Sequence, residues 1–380
     1  MADLLDITNV ELSSSLDAAM SARAFSRARM ASGGQQVAPT PMLWNSSLPQ
    51  IAAPHQETAL TPDIETFFVE DVTVGGYGAH LVRNEHIIYA EGAYPRYVKM
   101  YVDEDINPQY WLPKGEVTSE LPRAIIMTHF NIVYGHWLLE MFPKIFAVRK
   151  LEEAGVIAPL LFAADVPKYV LAVVANMLPR HPIVLFERDR EMVFVRQAII
   201  PSMLQREYIF HSLFTEALDN MLAEQAGRRR WPNAIFISRS KLTHGSYRSM
   251  TNAAEIEKLS ARLGLTVIHP EELDWFDQVQ LFSGARLIVG EFGSGLHNAL
   301  FAPGEARVVS LNWIVDVQSR IANMRGQQVG YILPSDGKPR GFSLDEQDAD
   351  ATRYHIDPEE FASRVKPLVR ESRPRWGARA

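Results

Sequence analysis

The sequence predicts an α/β protein with parallel sheets in two successive halves and a β-rich N-terminal region. Three observations carry that prediction. Short apolar runs, among them Ala124–Met127, Leu160–Phe162 and Leu287–Val289, alternate with stretches whose apolar residues recur at helical spacing. That alternation stops at a long helical stretch ending in Arg228-Arg229-Arg230 and restarts after Trp231-Pro232. The chain has 380 residues, 47% hydrophobic and 22% charged, enough for two cores at roughly 150 residues per domain.

In chain order, residues 12–30 are rich in Ser and Ala with Arg23, Arg27 and Arg29. They read as a loosely attached helix or as an amphipathic arm for an anionic surface. Residues 32–62, with five prolines, read as a linker or extended arm. Strands follow at 66–74, 79–83 and 86–89, divided by Gly75-Gly76 and the Asn84-Glu85 turn. Then come strand 124–127, helix 136–151, strand 160–162, helix 166–178 and strand 183–186. A long helix spans 208–227. The second half reads as strand 234–238, helix 253–263, strand 266–268, helix 276–283, strand 287–289, helix 294–301 and strand 308–311. A last helix covers 358–370. The expected division is an N-terminal arm and linker (1–62), two α/β domains (63–210 and 211–340) and a C-terminal tail with a helix (341–380).

Composition excludes several function classes. The 38 basic and 45 acidic side chains give a net charge of −7, so no overall positive field exists to hold a nucleic acid. With no cysteine, disulfides, thiolate metal sites and cysteine nucleophiles are ruled out. No run of about 20 apolar residues occurs, as a spanning helix would need. Asp3 and Asp6, without an early basic residue, do not make a secretory signal. A cytoplasmic protein is expected, with a peripheral contact at the inner membrane left open for the N-terminal arm.

In an open parallel sheet, ligands bind beyond the carboxyl ends of the strands. Three strand ends carry chemistry here. Gly290-Glu291-Phe292-Gly293-Ser294-Gly295-Leu296-His297-Asn298 is a glycine-rich turn into a helix, where backbone N–H groups and the helix terminus suit a phosphate or diphosphate. It matches neither GxGxxG nor a P-loop, and a plain tight turn with Ser294 as N-cap fits as well. The second strand end delivers Arg239 and Lys241, followed by Arg248 and by Asn252, a residue suited to capping the next helix. Arginine binds phosphate oxygens in bidentate fashion, although a solvated basic loop has the same composition. At the third, His136 and Glu140 stand four apart on one helix face. They fit a general base with an orienting carboxylate, or a structural pair. No HExxH supports zinc, and no metal site is expected.

These residues resemble glycosyltransferase family 61. His136-Trp137-Leu138-Leu139-Glu140-Met141-Phe142-Pro143-Lys144 is similar to the family's N-terminal-half motif. Ile237-Ser238-Arg239, Arg248, Asn252, Phe276-Asp277-Gln278-Val279, Gly290 to Asn298 and Phe301-Ala302-Pro303 follow in the family's order. The resemblance covers about residues 65–335. It departs where many members carry His in the glycine loop; this chain has Phe292 there and His297 later. That departure favours the bacterial capsular or surface-polysaccharide type.

What the resemblance implies is a GT-B-type architecture, two Rossmann-like domains with parallel sheets facing a cleft, with acceptor on the N-terminal side and donor on the C-terminal side. It implies an inverting transfer from a nucleotide-diphosphate sugar to a glycan or glycoconjugate hydroxyl, with no tightly bound cofactor and no catalytic metal. Carried over, Arg239 and Arg248 face the diphosphate, and Gly293, Ser294, Gly295, His297 and Asn298 lie in the cradle beneath it. Beside the resemblance, His136 is the expected catalytic base with Glu140 as its partner or an acceptor contact, and Lys241, Asn252 and Glu291 are further donor-binding candidates. A nucleotide-sugar epimerase or hydrolase, or a non-catalytic nucleotide-sugar or glycan-binding protein, are the alternatives. The expected partners are nucleotide sugar and glycan acceptor, not nucleic acid; oligomeric state is left open.

Overall fold

A computed structural model describes residues 3–44, 58–76, 79–95, 116–128, 133–225, 231–242, 248–313, 316–340 and 352–372. Contacts divide the chain into two units: Met1–Gln36 with Leu60–Ala217, and Val37–Ala59 with Leu218–Ala380. Asp103-Glu104-Asp105, whose composition suits a divalent metal or a solvated turn, Trp111, which suits sugar stacking or core packing, and the helix end at Arg228 to Arg230 lie outside the described residues.

The first unit is built on a ten-stranded sheet. Its strands are β1 (Asp3–Asp6), β2 (Phe25–Ala31), β3 (Ile64–Gly75), β4 (His80–Arg83), β5 (His86–Tyr89), β6 (Glu116–Leu121), β7 (Ala124–Ile126), β8 (Leu160–Ala163), β9 (Ile183–Phe186) and β10 (Glu191–Pro201). They run in the order β1-β5-β4-β3-β10-β7-β8-β9, with β2 on β3 and β6 on β10. The long pair β3 and β10 forms the spine, antiparallel from Thr66 opposite Pro201 to Val74 opposite Val193. Phe67, Val69, Val72 and Val74 pack there with Val195, Ala198 and Ile200, all buried. Each such large apolar side chain contributes about 1.5–3 kcal/mol on burial.

This sheet is parallel along β10-β7-β8-β9, where β6 also joins β10 in parallel, and again in the edge pair β1 and β5. The pairs β2–β3, β3–β10, β3–β4 and β4–β5 are antiparallel. The expected Rossmann-like parallel sheet therefore describes part of the unit, and an antiparallel meander forms its middle. Local turns decide it. Asn84 and Glu85 both take positive φ, 49° and 67°, the geometry of a two-residue hairpin, and strands joined that tightly can only be antiparallel.

Residues 12–30 also differ from expectation. A short helix, α1 (Leu16–Ser21), is capped by the Ser15 hydroxyl accepting from the Ala18 N–H, and β2 then pairs antiparallel with β3. The inward positions of β2 are Ser26 and Ala28, too small to give a visible hydrophobic alternation. Arg27, rather than facing a surface, pairs with Glu65 at 2.9 Å. Strand β10, left unassigned by the sequence pattern, sits beside the charged run Glu187 to Glu191 that masks it.

The helices of the first unit follow the expected places. A helical stretch opens at Tyr134–His136, widens into a π-turn at Trp137–Met141 and continues as α2 (Phe142–Glu153). Pro143 explains the widening. It has no N–H for the carbonyl four residues back, and its ring crowds that carbonyl in a regular α-helix. The Phe142 N–H instead donates to the Trp137 carbonyl, five residues back. Helix α3 (Lys168–Met177) joins β8 to β9. Helix α4 (Ser212–Glu224) is shorter than the expected 208–227, because residues 205–210 form a small hairpin.

In the second unit, β11 (Ala234–Ile237), β13 (Thr266–Ile268), β14 (Leu287–Glu291), β15 (Arg307–Leu311) and β16 (Gln328–Ile332) form a five-stranded sheet. Between the first two, the short β12 (Ser249–Met250) pairs in parallel with β17 (Arg353–Tyr354). The five-stranded sheet is wholly parallel, in the order β13-β11-β14-β15-β16. Its helices are α5 (Ala253–Leu263), α6 (Trp275–Ser283), α7 (Asp316–Arg325) and α8 (Pro358–Ser372). Phe236, Val289 and Val309 face a core with Ile256 of α5 and Phe361 and Val365 of α8. The alternate residues Ile235, Ile288 and Val308 are equally buried, so both faces are covered.

Numbered along the chain, these five strands have the order 2-1-3-4-5. The connections therefore reverse direction between β11 and β14, the switch point at which doubly wound sheets bind ligands. Among the described residues, no helix is long and apolar enough to cross a membrane.

Candidate functional site

At the switch point, β11 ends in Ile237 and delivers Ser238 and Arg239, while its neighbour β14 ends in Gly290 and Glu291. Gly290 lies opposite Ile237, and a Cβ there would fall 2.7 Å from the Ile237 Cβ. Glu291 is 3% exposed, and each of its oxygens has a partner: Oε1 accepts from the Arg239 N–H at 3.1 Å and Oε2 from the Tyr354 hydroxyl at 2.6 Å. Burial raises the Glu291 carboxyl above its usual range, against the pull of those two hydrogen bonds. Burial, then the neighbouring carboxylate, pushes the Tyr354 phenol well above its ordinary value.

The two arginines converge on the next two residues of the loop. A Cβ on Gly293 would meet the Arg239 Nη1 at 2.0 Å, so the guanidinium lies directly over the glycine Cα. Arg248 stacks on the Phe292 ring, its Cζ 4.5 Å from the centroid. Burial and the facing Arg239 lower the Arg248 guanidinium to about 10. Among the described residues neither guanidinium forms an ion pair, and the Arg239 Nε is buried with no hydrogen-bond partner. Two cations and one carboxylate, with the Arg239 Nε unpartnered among the described residues, make a corner suited to an oxygen-rich anion.

The structure does not bring every expected residue there. Lys241 pairs at the surface with Glu272 at 2.8 Å. Asn252 stands at the N-cap of α5 without capping it; its amide donates to the Ile356 carbonyl at 2.8 Å and accepts from the Ile356 N–H at 3.2 Å. Asn298 is wholly buried and donates to Gln278 at 2.9 Å and to the Gly295 carbonyl. Its work is to close the loop against α6. His297 packs against Phe292, with ring centroids 6.2 Å apart. Ser294 and Gly295 lead into a six-residue 3-10 helix, Leu296–Phe301, instead of the expected α-helix from Ser294, and Ser294 caps nothing with its side chain. So short a 3-10 turn aligns few peptide dipoles, so the positive charge of this corner comes from the arginines.

In the first unit, the π-turn carries the other expected pair. His136 Nδ1 lies 2.8 Å from Glu140 Oε1, with the His136 side chain 28% exposed and Glu140 buried. Single-turn π-bulges recur at functional sites because they re-aim side chains. The next helical position along this face, Lys144, is 1% exposed, with its ammonium 5.4 Å from the Tyr94 ring centroid. Burial drives Lys144 down to about 7, while the Glu140 charge pulls the other way. Burial likewise raises the Tyr94 phenol.

Sequence reasoning missed Lys144 and Tyr354. A lysine inside Met141-Phe142-Pro143-Lys144-Ile145-Phe146, eight residues after His136, is a readable signal for a buried cation. Tyr354 left no such signal, since 63 residues separate it from Glu291. Among the described residues, no group of three or more His, Asp or Glu is placed to hold a metal ion.

Comparison with known proteins bears on this arrangement. Residues 134–309 match the family model of Glycosyltransferase 61. The match covers less than half of the chain and is a similarity to glycosyltransferases. The matched segment holds His136, Glu140, Lys144, Arg239, Arg248 and the whole 290–298 loop, whereas Tyr354 lies beyond it. No curated protein sequence matches the chain.

Proposed function

We propose that the chain is an inverting glycosyltransferase that moves a sugar from a nucleotide-diphosphate sugar to a hydroxyl of a glycan or glycoconjugate. The observation that carries this reading is the convergence of Arg239 and Arg248 on Phe292 and Gly293 at the switch point of a doubly wound sheet. A diphosphate has the charge and the oxygen geometry that two guanidinium forks match. The enzyme is of GT-B type in this reading, with the donor held by the C-terminal half and the acceptor by the N-terminal half.

His136 serves as the base. Its Nδ1 faces the buried Glu140, whose carboxylate holds the proton on Nδ1 and so makes Nε2 the ring nitrogen that accepts a proton. As Nε2 takes the proton, the acceptor oxygen attacks the anomeric carbon from the face opposite the nucleotide. The bond from that carbon to the phosphate oxygen breaks, and its electron pair leaves with the diphosphate. Arg239 and Arg248 offset the charge that develops there, a role in which one oriented donor contributes about 2.7–4 kcal/mol.

Phe292 in the loop favours the bacterial capsular or surface-polysaccharide type, and a cytoplasmic location accords with such a donor. The test is a thermal-shift panel of nucleoside diphosphates, followed by mass spectrometry of sugar transfer to glycan acceptors. A rise in melting temperature with one nucleotide, and a product one sugar heavier, are expected. Rapid donor consumption without acceptor would point instead to an epimerase or hydrolase and overturn the reading.

A further inference from the structure

We propose that Tyr354 is a positioning residue of the anion corner: its hydroxyl holds the Glu291 carboxylate away from Arg239 and Arg248, keeping both guanidinium groups open for a diphosphate. This rests on the diphosphate reading above and deepens it, because Tyr354 lies outside the family match.

The problem Tyr354 solves is plain in the geometry. A buried carboxylate beside two guanidinium groups ordinarily closes a bidentate ion pair with one of them, since such pairs are strong and satisfy both partners. Here that pair does not form. Glu291 spends Oε2 on the Tyr354 hydroxyl at 2.6 Å and Oε1 on a backbone N–H at 3.1 Å. The carboxylate still lowers the local positive potential, and the two side chains remain available.

The segment carrying Tyr354 is anchored at the strand that follows Arg248. Ser249 lies opposite Arg353 and Met250 opposite Tyr354 in the parallel pair β12 and β17. The Thr251 N–H donates to the Tyr354 carbonyl at 2.8 Å, and Asn252 clamps both polar groups of the Ile356 backbone. The one segment therefore fixes where Arg248 emerges and where Glu291 points. The Asn252 amide, expected to touch donor, does its work here.

Removing the hydroxyl frees Oε2 to turn to a guanidinium and compete with ligand. The experiment is isothermal titration of the full chain with UDP, GDP and inorganic pyrophosphate. We expect Y354F to bind whichever of these the wild type binds at least tenfold more weakly, about 1.4 kcal/mol. Adding E291Q to Y354F removes the competing charge and is expected to restore affinity to within threefold of E291Q alone. A side chain that only packs would not give that rescue.

Equal affinity in Y354F and wild type would overturn the proposal, as would a loss that E291Q leaves uncorrected. Should Y354F fail to fold, E291D draws the carboxylate one methylene out of the tyrosine's reach and is expected to lose affinity similarly. Unchanged binding in E291D would count against the idea. If the wild type binds none of the three ligands, the diphosphate reading itself fails, a result distinct from a bound wild type with an unaffected Y354F.

Discussion

The two units place ionisable groups by opposite means. In the first, His136, Glu140 and Lys144 come from one continuous helical stretch, and a π-turn made by Pro143 sets their facing. In the second, Arg239, Arg248, Glu291 and Tyr354 arrive from four separate segments, gathered by strand order and by one short parallel pair. A helix guarantees that residues four apart are neighbours whatever the rest of the chain does. A strand-end site exists only once the sheet has its order. The helical group should therefore tolerate changes elsewhere, while the strand-end group should respond to residues remote in sequence.

The sharpest test of that contrast is kinetic. R239A and R248A are each expected to lower transfer by two to three orders of magnitude and to weaken donor binding, since each removes a group proposed to meet the charge on the leaving diphosphate. H136Q should lower transfer about 10²–10⁴-fold while leaving nucleoside diphosphate affinity unchanged. Calorimetry beside a turnover assay separates the two, and a loss of donor affinity in H136Q would break the division of labour.

Next in size is G293A. Its methyl group would fall where the Arg239 Nη1 now lies, 2.0 Å away, and the guanidinium, as the end of a flexible chain, can move aside. We expect about a tenfold rise in donor KM together with a modest fall in melting temperature, because Gly293 holds φ at +159°, a conformation that L side chains rarely adopt. A large loss of stability with normal KM would mean that the glycine serves the turn alone.

Lys144 sharpens the other side of the comparison. The folded state releases this proton near pH 7, whereas the unfolded chain keeps it to about pH 10.5. Across that window the unfolded state binds more protons, so this group makes stability rise with pH and imposes its full burial cost below pH 7. K144M, apolar and of similar length, should melt several degrees higher than wild type at pH 6 and show a flatter stability profile from pH 7 to 10. A lower melting temperature at pH 6 would mean that the ammonium is stabilised by its neighbours more than burial penalises it.

The smallest effect is expected from K241A. Lys241 and Glu272 are exposed partners on the surface, and such pairs contribute little to stability. Donor affinity should change less than twofold. A larger loss would return Lys241 to the anion corner.

Much of this was legible beforehand for physical reasons. The runs at 234–237, 287–289 and 308–309 are apolar throughout because these parallel strands are covered on both faces, and that signature is local. The pair His136 and Glu140 was legible from spacing alone. Strand β2 was not, because Ser26 and Ala28 bury too little area to mark an inward face. The loop at 290–298 showed its glycines but not its 3-10 geometry. Asn252 and Asn298 looked like polar ligands, and pairing with Ile356 and Gln278 uses the same amide chemistry.

By itself the sequence determined the alternation of strands and helices, the helical grouping of His136, Glu140 and Lys144, and the identity of the residues at each strand end. Only the tertiary structure decided that β11 lies beside β14, that Arg248 reaches Phe292, and that Tyr354 meets Glu291. The reason is one of range. Periodicity and turn chemistry act over a few residues, while strand order follows from how whole faces bury against one another, and no short window of sequence contains that sum.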